Sequence, residues 1–428
     1  MAGIGSLSAT CTNQFPSSEV VRLHAEYKPM LSVVNIYLDF SKSNIRNIST
    51  PGSNITVTTE KNVITVMKGG NSVQFEMNGL VLCPLSCRGL KLCGGHELQM
   101  TLQTTGVNDF LDTDSCFMSQ VSGQNEMVEK IHLCQSRCFC SCCGQRLFKH
   151  HGIFERVLPL PSENWSDFAD FWFCHCHGDT PKPRPTSVWP KKSDCLVSNT
   201  YILVSASHVA DGAVQERKDN PVLQCARCGS FLGVTMSNQN KENDAAALSV
   251  PHKACQLYLH ALSFTTESEE SVFEQPRPPE VSLELFLSQL IQEQSRLYTS
   301  FRFIVNSTAV REHDRSLTVL IWLLDQDQLL YIAEGLLPSV PQKLKVQGQR
   351  AIKMLYRAVV HTSVTSNSTP PPGADLFETW QKDNTVHGVT LPHPLCLKLV
   401  TLLMNNTKKL PPYQRRLNGF NVTYLQKK

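Results

Sequence analysis

The amino-acid sequence predicts an α+β protein in three parts: a β-rich N-terminal domain over 1–110, a cysteine-rich region over 131–235, and a mixed C-terminal domain over 256–428. Three observations predict this arrangement. Short runs of alternating apolar and polar residues dominate the first part. Paired cysteines are concentrated in the second part. The third part combines an apolar stripe at helical spacing with several runs rich in β-branched and aromatic residues.

The N-terminal part contains short alternating segments at the spacing of a small antiparallel sandwich or sheet. A hairpin turn is predicted at Glu60-Lys61-Asn62, between two of these segments. Strands are predicted over 33–38, 55–59, 63–67, 73–77 and 98–102. The polar and acidic segment 104–130 that follows is predicted to be a linker.

The C-terminal part carries one clear helical pattern. Four apolar residues fall at positions i, i+3, i+4 and i+7, and Ser282 precedes them as a candidate N-cap. They are Leu283, Phe286, Leu287 and Leu290. Strands are predicted over 301–305, 317–324, 353–360 and 420–425, and a short buried helix over 395–403. Both element types are therefore expected in this part.

Composition and charge exclude several classes of protein. Hydrophobic residues make up 41% of the chain and charged residues 18%, so a packed core is expected. The formal net charge of +3 indicates no strongly basic face, and direct binding of nucleic acid is not expected. No run of apolar residues reaches the length of a membrane span. The first thirty residues lack the apolar run of a signal peptide, so a cytoplasmic location is predicted, with the nucleus as a second compartment.

The number of cysteines calls for an explanation. The chain has 17, and thiols in the cytoplasm and nucleus stay reduced, so clustered pairs favour metal ligands over disulfides. Two segments, 140–144 and 225–229, have the form Cys-x-x-Cys-Gly. Together they predict one structural Zn²⁺ site, since Zn²⁺ prefers four thiolates placed tetrahedrally. The predicted ligands are Cys140, Cys143, Cys225 and Cys228.

Alternatives to this site stay open at the level of sequence. The pairs could be buried free thiols or chance matches. The choice of ligands in the first pair is also uncertain, because three further cysteines lie near it. They are Cys134, Cys138 and Cys142.

A second cluster, Cys174-His175-Cys176-His177, follows Trp172. The side chains of neighbouring residues diverge, so only one or two residues of this cluster would bind the same metal ion. The candidates are Cys174 and His175, together with a distant partner such as Cys195. Alternatively, one exposed thiol is directed at another protein. A third interpretation is that these residues are half-buried and have no chemical role.

Enzyme motifs are scarce. The sequence contains no P-loop and no GxGxxG, HExxH or GxSxG motif. The remaining candidate for catalysis is a cysteine nucleophile, and Cys396 is the isolated cysteine of the C-terminal region. Its apolar neighbours favour a buried thiol. A helix that begins near Pro394 would instead lower its pKa through the helix dipole.

Five short motifs carry a family resemblance. Their order and spacing resemble the HECT-like ubiquitin-protein ligases that bind ubiquitin-conjugating enzymes, from about Ser86 to the end of the chain. The motifs are SCRGL at 86–90, RVLPLPSENW at 156–165, FRF at 301–303, WLL at 322–324 and LPxxxRRLNxF at 410–420.

The resemblance implies an activity, partners and a catalytic residue. The family accepts ubiquitin from a conjugating enzyme and passes it to substrate lysines, including its own, with cyclin B as a partner. Its HECT-like tail corresponds to 390–428, and Cys396 within it would carry the ubiquitin thioester. A complete HECT domain is several-fold longer than this tail. Residues 256–297 are the predicted docking segment for the conjugating enzyme.

The resemblance also implies a link to messenger-RNA 3′-end processing. There, the motif at 156–165 and a cysteine matching Cys174 engage the metal-dependent endonuclease of the cleavage complex. The alternative function is therefore that of a non-catalytic inhibitor or assembly factor, whose Cys174 caps the metal of that endonuclease.

Overall fold

A computed structural model describes most of the chain. It covers residues 20–40, 55–68, 71–107, 115–134, 137–149, 154–160, 189–217, 220–237, 253–266, 275–308, 315–337, 342–362 and 374–427. These residues are mostly in β-strands with few helices, so the α+β prediction is only partly correct. In these ranges no helix has the length and apolar character that a membrane span requires.

The elements follow one another in this order. The strands are β1 (Val20–Lys28), β2 (Val33–Asp39), β3 (Ile55–Glu60), β4 (Val63–Lys68), β5 (Asn71–Met77), β6 (Leu80–Cys93), β7 (Glu97–Val107), β8 (Cys138–Cys140), β9 (Arg156–Pro159), β10 (Asp194–Val197), β11 (Tyr201–Ser205), β12 (Val214–Arg217), β13 (Asn220–Cys225), β14 (Phe231–Ser237), β15 (Lys253–Tyr258), β16 (Leu262–Phe264), β17 (Arg302–Ser307), β18 (Arg315–Leu336), β19 (Gln342–Val346), β20 (Gln349–Thr362), β21 (Val386–Leu391), β22 (Arg416–Leu417) and β23 (Phe420–Gln426). The helices are α1 (Ser115–Cys134), α2 (Leu283–Tyr298), α3 (Ala374–Gln381) and α4 (His393–Lys409).

The chain forms two compact units. The first comprises Met1–Leu111, Asp327–Arg350 and Leu410–Gln414, and the second comprises Asp112–Gln326, Ala351–Lys409 and Arg415–Lys428. The division of the sequence into 1–110, 131–235 and 256–428 stays a prediction.

The first unit is built from two sheets. One has the antiparallel order β18-β1-β2-β7-β6, to which β18 contributes its second half. The other has the order β19-β5-β4-β3, with β19 parallel to β5. Alternate residues of both sheets, such as Leu23 and Phe75, share one buried cluster. This is the expected result of alternating patterns that bury one face of each strand.

The second unit holds the cysteine-rich part. A seven-stranded sheet has the order β12-β13-β14-β15-β11-β10-β9, and β8 pairs with β16, which follows β15 in sequence. β17 pairs with β21 and with the first half of β18, while β23 pairs with β20 and β22. Helices α2 and α4 pack into the same buried cluster. As predicted, Ser282 caps α2, and its Oγ accepts a hydrogen bond from the Leu285 N–H at 3.1 Å.

Candidate metal centre and thiol sites

Two backbone turns of the same design carry the paired cysteines. Cys140 ends β8 and Cys225 ends β13. In each turn the glycine N–H donates to the carbonyl of the first cysteine, from Gly144 to Cys140 and from Gly229 to Cys225, both at 2.8 Å. Both glycines have positive φ values, +74° and +71°, which favour glycine. The spacing Cys-x-x-Cys-Gly therefore specifies the turn, as the sequence suggested.

The two turns bring four sulfur atoms together. The Sγ atoms of all four cysteines lie within 4.8 Å of one another. Across the turns, Cys140 Sγ is 3.8 Å from Cys228 Sγ, and Cys143 Sγ is 3.6 Å from Cys225 Sγ. Cys140 and Cys225 are buried, Cys143 is half-buried and Cys228 is exposed. Such a cluster could hold a metal ion.

The acidities of these thiols differ within the cluster. Burial raises the pKa of Cys140, and it raises the pKa of Cys143 to about 11. Burial alone would also raise the pKa of Cys228. Hydrogen bonds from Ser230 and from the neighbouring thiols outweigh this effect and lower the pKa of Cys228 to about 6. Metal binding must therefore displace protons from Cys140 and Cys143, and it becomes weaker as the pH falls. Ser230 was not singled out by its sequence position, although it directly follows the second Cys-x-x-Cys-Gly segment.

The surroundings of the first turn fix its position. The Ser141 N–H donates to the Ala261 carbonyl at 3.0 Å, and the Arg277 N–H donates to the Ser141 carbonyl at 2.9 Å. The ammonium group of Lys398 on α4 interacts electrostatically with Cys142 and Cys140. A positive charge there offsets the negative charge that four thiolates would bring to one ion.

The other cysteines near the pairs lie outside this group of four. Cys134 and Cys138 are buried, and Cys142 is exposed. Cys195 is buried in β10, and burial raises its pKa. Within the described ranges, it joins no further cluster of potential metal ligands. Cys174, His175 and Cys176 lie outside the described residues, so the predicted contact of Cys174 with an endonuclease stays a prediction, as does cyclin B as a partner.

Cys396 lies in the first turn of α4, but it is inaccessible. Its side chain has 0% exposure, and its Sγ is 3.9 Å from the Leu391 carbonyl. Burial raises the pKa of Cys396 to about 12. The predicted lowering of this pKa at the helix N-terminus is thus outweighed by desolvation. Cys396 is therefore a buried thiol in this structure, and its catalytic role stays a prediction.

Comparisons with known proteins relate this chain to ubiquitin ligases. The family described as HECT-like ubiquitin-conjugating enzyme (E2)-binding matches residues 26–422. An E3 ubiquitin-protein ligase of Mus musculus is 28% identical over 362 residues, which cover 81% of this chain and 84% of that protein. The ligase of the same name from Homo sapiens is 27% identical over 371 residues, with 81% and 84% coverage. No solved structure matches the chain.

Proposed function

Because the chain belongs to the HECT-like ubiquitin-conjugating enzyme (E2)-binding family, we propose that it is a ubiquitin-protein ligase that presents a ubiquitin-loaded conjugating enzyme to substrate lysines, including its own. The observation that carries this proposal is the family match over 26–422. The names of the relatives from Mus musculus and Homo sapiens agree with it.

The transfer itself needs little chemistry from the ligase. The ε-amine of a substrate lysine attacks the thioester carbon of ubiquitin, a C–N bond forms and the C–S bond breaks. The cysteine of the conjugating enzyme leaves as a thiolate, and the amine loses a proton to solvent. Holding amine and thioester together can supply on the order of 7–11 kcal/mol of the barrier.

The buried state of Cys396 favours direct transfer of ubiquitin from the conjugating enzyme to the lysine over a mechanism in which ubiquitin first forms a thioester with this chain. A nucleophilic cysteine must be reachable and must reach the thiolate state near neutral pH. Cys396 has 0% exposure and a pKa of about 12, so it meets neither condition. The ligase therefore acts by positioning, and ubiquitin passes from the conjugating enzyme to the lysine in one step.

The ion proposed for the four-cysteine cluster is Zn²⁺. In a tetrahedral site with metal–sulfur distances of about 2.3 Å, neighbouring sulfurs are about 3.8 Å apart. The Sγ separations of 3.8 Å and 3.6 Å fit this geometry. Four protein ligands leave no open position, which is typical of a structural site. Elemental analysis of purified protein should find one Zn²⁺ per chain.

The direct-transfer proposal is tested by reconstituted self-ubiquitylation with a charged conjugating enzyme. For Cys396→Ala we expect the wild-type rate within about twofold, and conjugates on the ligase that resist reducing agents. Alanine avoids burying a hydroxyl group, which costs about 1–3 kcal/mol when unpaired. Cys255→Ala, another buried thiol, is the matched control. A reducible ubiquitin adduct on the ligase that disappears only in Cys396→Ala would refute direct transfer.

A further inference from the structure

Two close pairs of sulfur atoms in the four-cysteine cluster cross from one turn to the other. Cys140 Sγ lies 3.8 Å from Cys228 Sγ, and Cys143 Sγ lies 3.6 Å from Cys225 Sγ. The partners are 88 positions apart in the sequence in the first pair and 82 in the second. A disulfide in either pair would therefore link the two turns covalently.

The two thiols of the first pair differ in their access to solvent. Cys140 has 0% exposure, whereas Cys228 is exposed. Among the described cysteines of the second unit, only Cys142 and Cys228 are exposed, and Cys142 lies outside the group of four. Cys143 is half-buried. A small oxidant in solvent therefore meets the cluster first at Cys228, next to a buried partner thiol.

Both turns are anchored by backbone hydrogen bonds that involve no sulfur atom. The Ser141 N–H of the first turn donates to the Ala261 carbonyl at 3.0 Å. The Ala226 N–H of the second turn donates to the Ala213 carbonyl, also at 3.0 Å. These bonds do not depend on the chemical state of the thiols. The turns therefore stay adjacent whether the sulfurs bind a metal ion or each other.

We propose that the four-cysteine cluster is a redox switch, in which a peroxide converts Cys140 and Cys228 from metal ligands into a disulfide and the ion is released. This rests on the proposed Zn²⁺ site and goes beyond the proposed ligase function. The disulfide takes over the link between the turns that the ion provides. The second unit thus loses its metal but keeps the connection between β8 and β13, and a reducing agent reverses the change.

The chemistry needs one molecule of hydrogen peroxide for each disulfide. The thiolate of Cys228 attacks one peroxide oxygen, so that an S–O bond forms, the O–O bond breaks and hydroxide leaves. The thiolate of Cys140 then attacks the sulfur of this sulfenic acid, an S–S bond forms, and the S–O bond breaks with loss of a second hydroxide. The two sulfurs together give two electrons to the peroxide. The cluster keeps two of its four ligands, which are too few for a structural Zn²⁺ site.

The test treats the Zn²⁺-loaded full chain with hydrogen peroxide. We expect release of the bound Zn²⁺ to a coloured chelator, at one ion per chain. Mass spectrometry of unreduced peptides should find Cys140 joined to Cys228. Treatment with a reducing agent and Zn²⁺ should then restore one ion per chain, as measured by elemental analysis.

Substitutions identify the thiol at which oxidation begins. Cys228→His should keep the ion, since three cysteines and one histidine also form structural Zn²⁺ sites, and should release it at least about tenfold more slowly. Cys143→His is the matched control, because it has the same ligand types but keeps Cys140 and Cys228. For this control and for Cys142→Ser we expect the wild-type rate of release within about twofold. Elemental analysis before oxidation checks that each variant is loaded.

The outcomes separate the switch from the Zn²⁺ site on which it rests. If the purified protein holds no Zn²⁺, the metal assignment fails and the switch fails with it. If the ion is present but peroxide does not release it, or if the disulfide is any other than Cys140–Cys228, the switch is overturned while the Zn²⁺ site stands. Slow release from Cys142→Ser, or failure of the reducing agent to restore the ion, also overturns it. If Cys228→His holds no ion, the disulfide found in the wild-type chain decides.

Discussion

At the scale of single residues, the two turn glycines have the same backbone role in different surroundings. Gly144 and Gly229 both adopt a left-handed conformation that L-residues rarely take. A Cβ at Gly144 would meet the backbone carbonyl of Gln275, whereas one at Gly229 would meet nothing within 4 Å. A substitution at Gly229 would therefore cost only the free energy of the left-handed conformation, whereas a substitution at Gly144 would add the free energy of a steric clash.

We expect Gly144→Ala to be clearly more damaging than Gly229→Ala. Gly229→Ala should cost about 1–2 kcal/mol from its conformation alone. Gly144→Ala adds a clash with the backbone of Gln275, which cannot rotate away as a side chain could. Thermal melting and the rate of Zn²⁺ release to a chelator measure both effects. Equal losses in the two variants would show that the contact with Gln275 is not important.

Single-residue predictions from the sequence succeed where the pattern is local. Cys-x-x-Cys-Gly identified both turns, because the glycine and its hydrogen bond belong to the same five residues. Cys396 was ambiguous, because the helix dipole and burial act on its pKa in opposite directions. Only the packing of α4 into the core decides between them.

At the scale of elements, polar side chains tie α4 to its neighbours. Asn406 is buried, and its Nδ2 donates to Glu284 Oε1 at 2.9 Å and to the Tyr424 carbonyl at 2.8 Å. The same Glu284 oxygen accepts from the Gln426 N–H at 2.9 Å. One amide therefore joins α4, α2 and β23. The apolar pattern of 395–403 predicted a helix but not this network.

For Asn406→Ala we expect a loss of about 1–3 kcal/mol of stability, because the Tyr424 carbonyl and Glu284 would each lose a buried donor. Asn405→Ala is the control, since Asn405 is exposed on the same helix. Chemical denaturation of both variants measures the difference. A loss in Asn406→Ala no greater than in Asn405→Ala would mean that water replaces the amide without cost.

Element prediction fails where long-range packing overrides local pattern. The segment 104–130 was predicted to be a linker, but β7 extends to Val107 and α1 spans Ser115–Cys134. The polar sequence did not indicate the helix, because within the described side chains of 124–134 only Ile131 and Cys134 are fully buried. The strands predicted in the first unit agree with the structure. β2, β4, β5 and β7 bury apolar side chains of their patterns, whereas in β3 the described residues 56–60 alternate between exposed and half-buried.

At the scale of the whole molecule, pairing between distant segments builds the units. Residues of β1 pair with the second half of β18, Val20 with Leu336 and Tyr27 with Leu329. A sequence pattern gives each strand but not its partner across some 300 residues, so local reasoning cannot assign 327–350 to the first unit. Each unit has its own buried cluster. All four candidate metal ligands lie in the second unit.

Removal of the metal should therefore loosen one unit selectively. With a strong chelator, we expect amide hydrogen exchange to accelerate around β8, β13 and the two cysteine turns, because the binding free energy of a structural ion contributes to folding. Strands β1, β2 and β7 should keep their protection, since the cluster that they bury contains none of the four ligands. Addition of Zn²⁺ should restore slow exchange, and addition of Mg²⁺, which prefers oxygen ligands, should not. Equal acceleration in β1, β2 and β7 would show that the ion stabilises the whole chain, and unchanged exchange at β8 and β13 would show that the cysteine cluster does not depend on an ion.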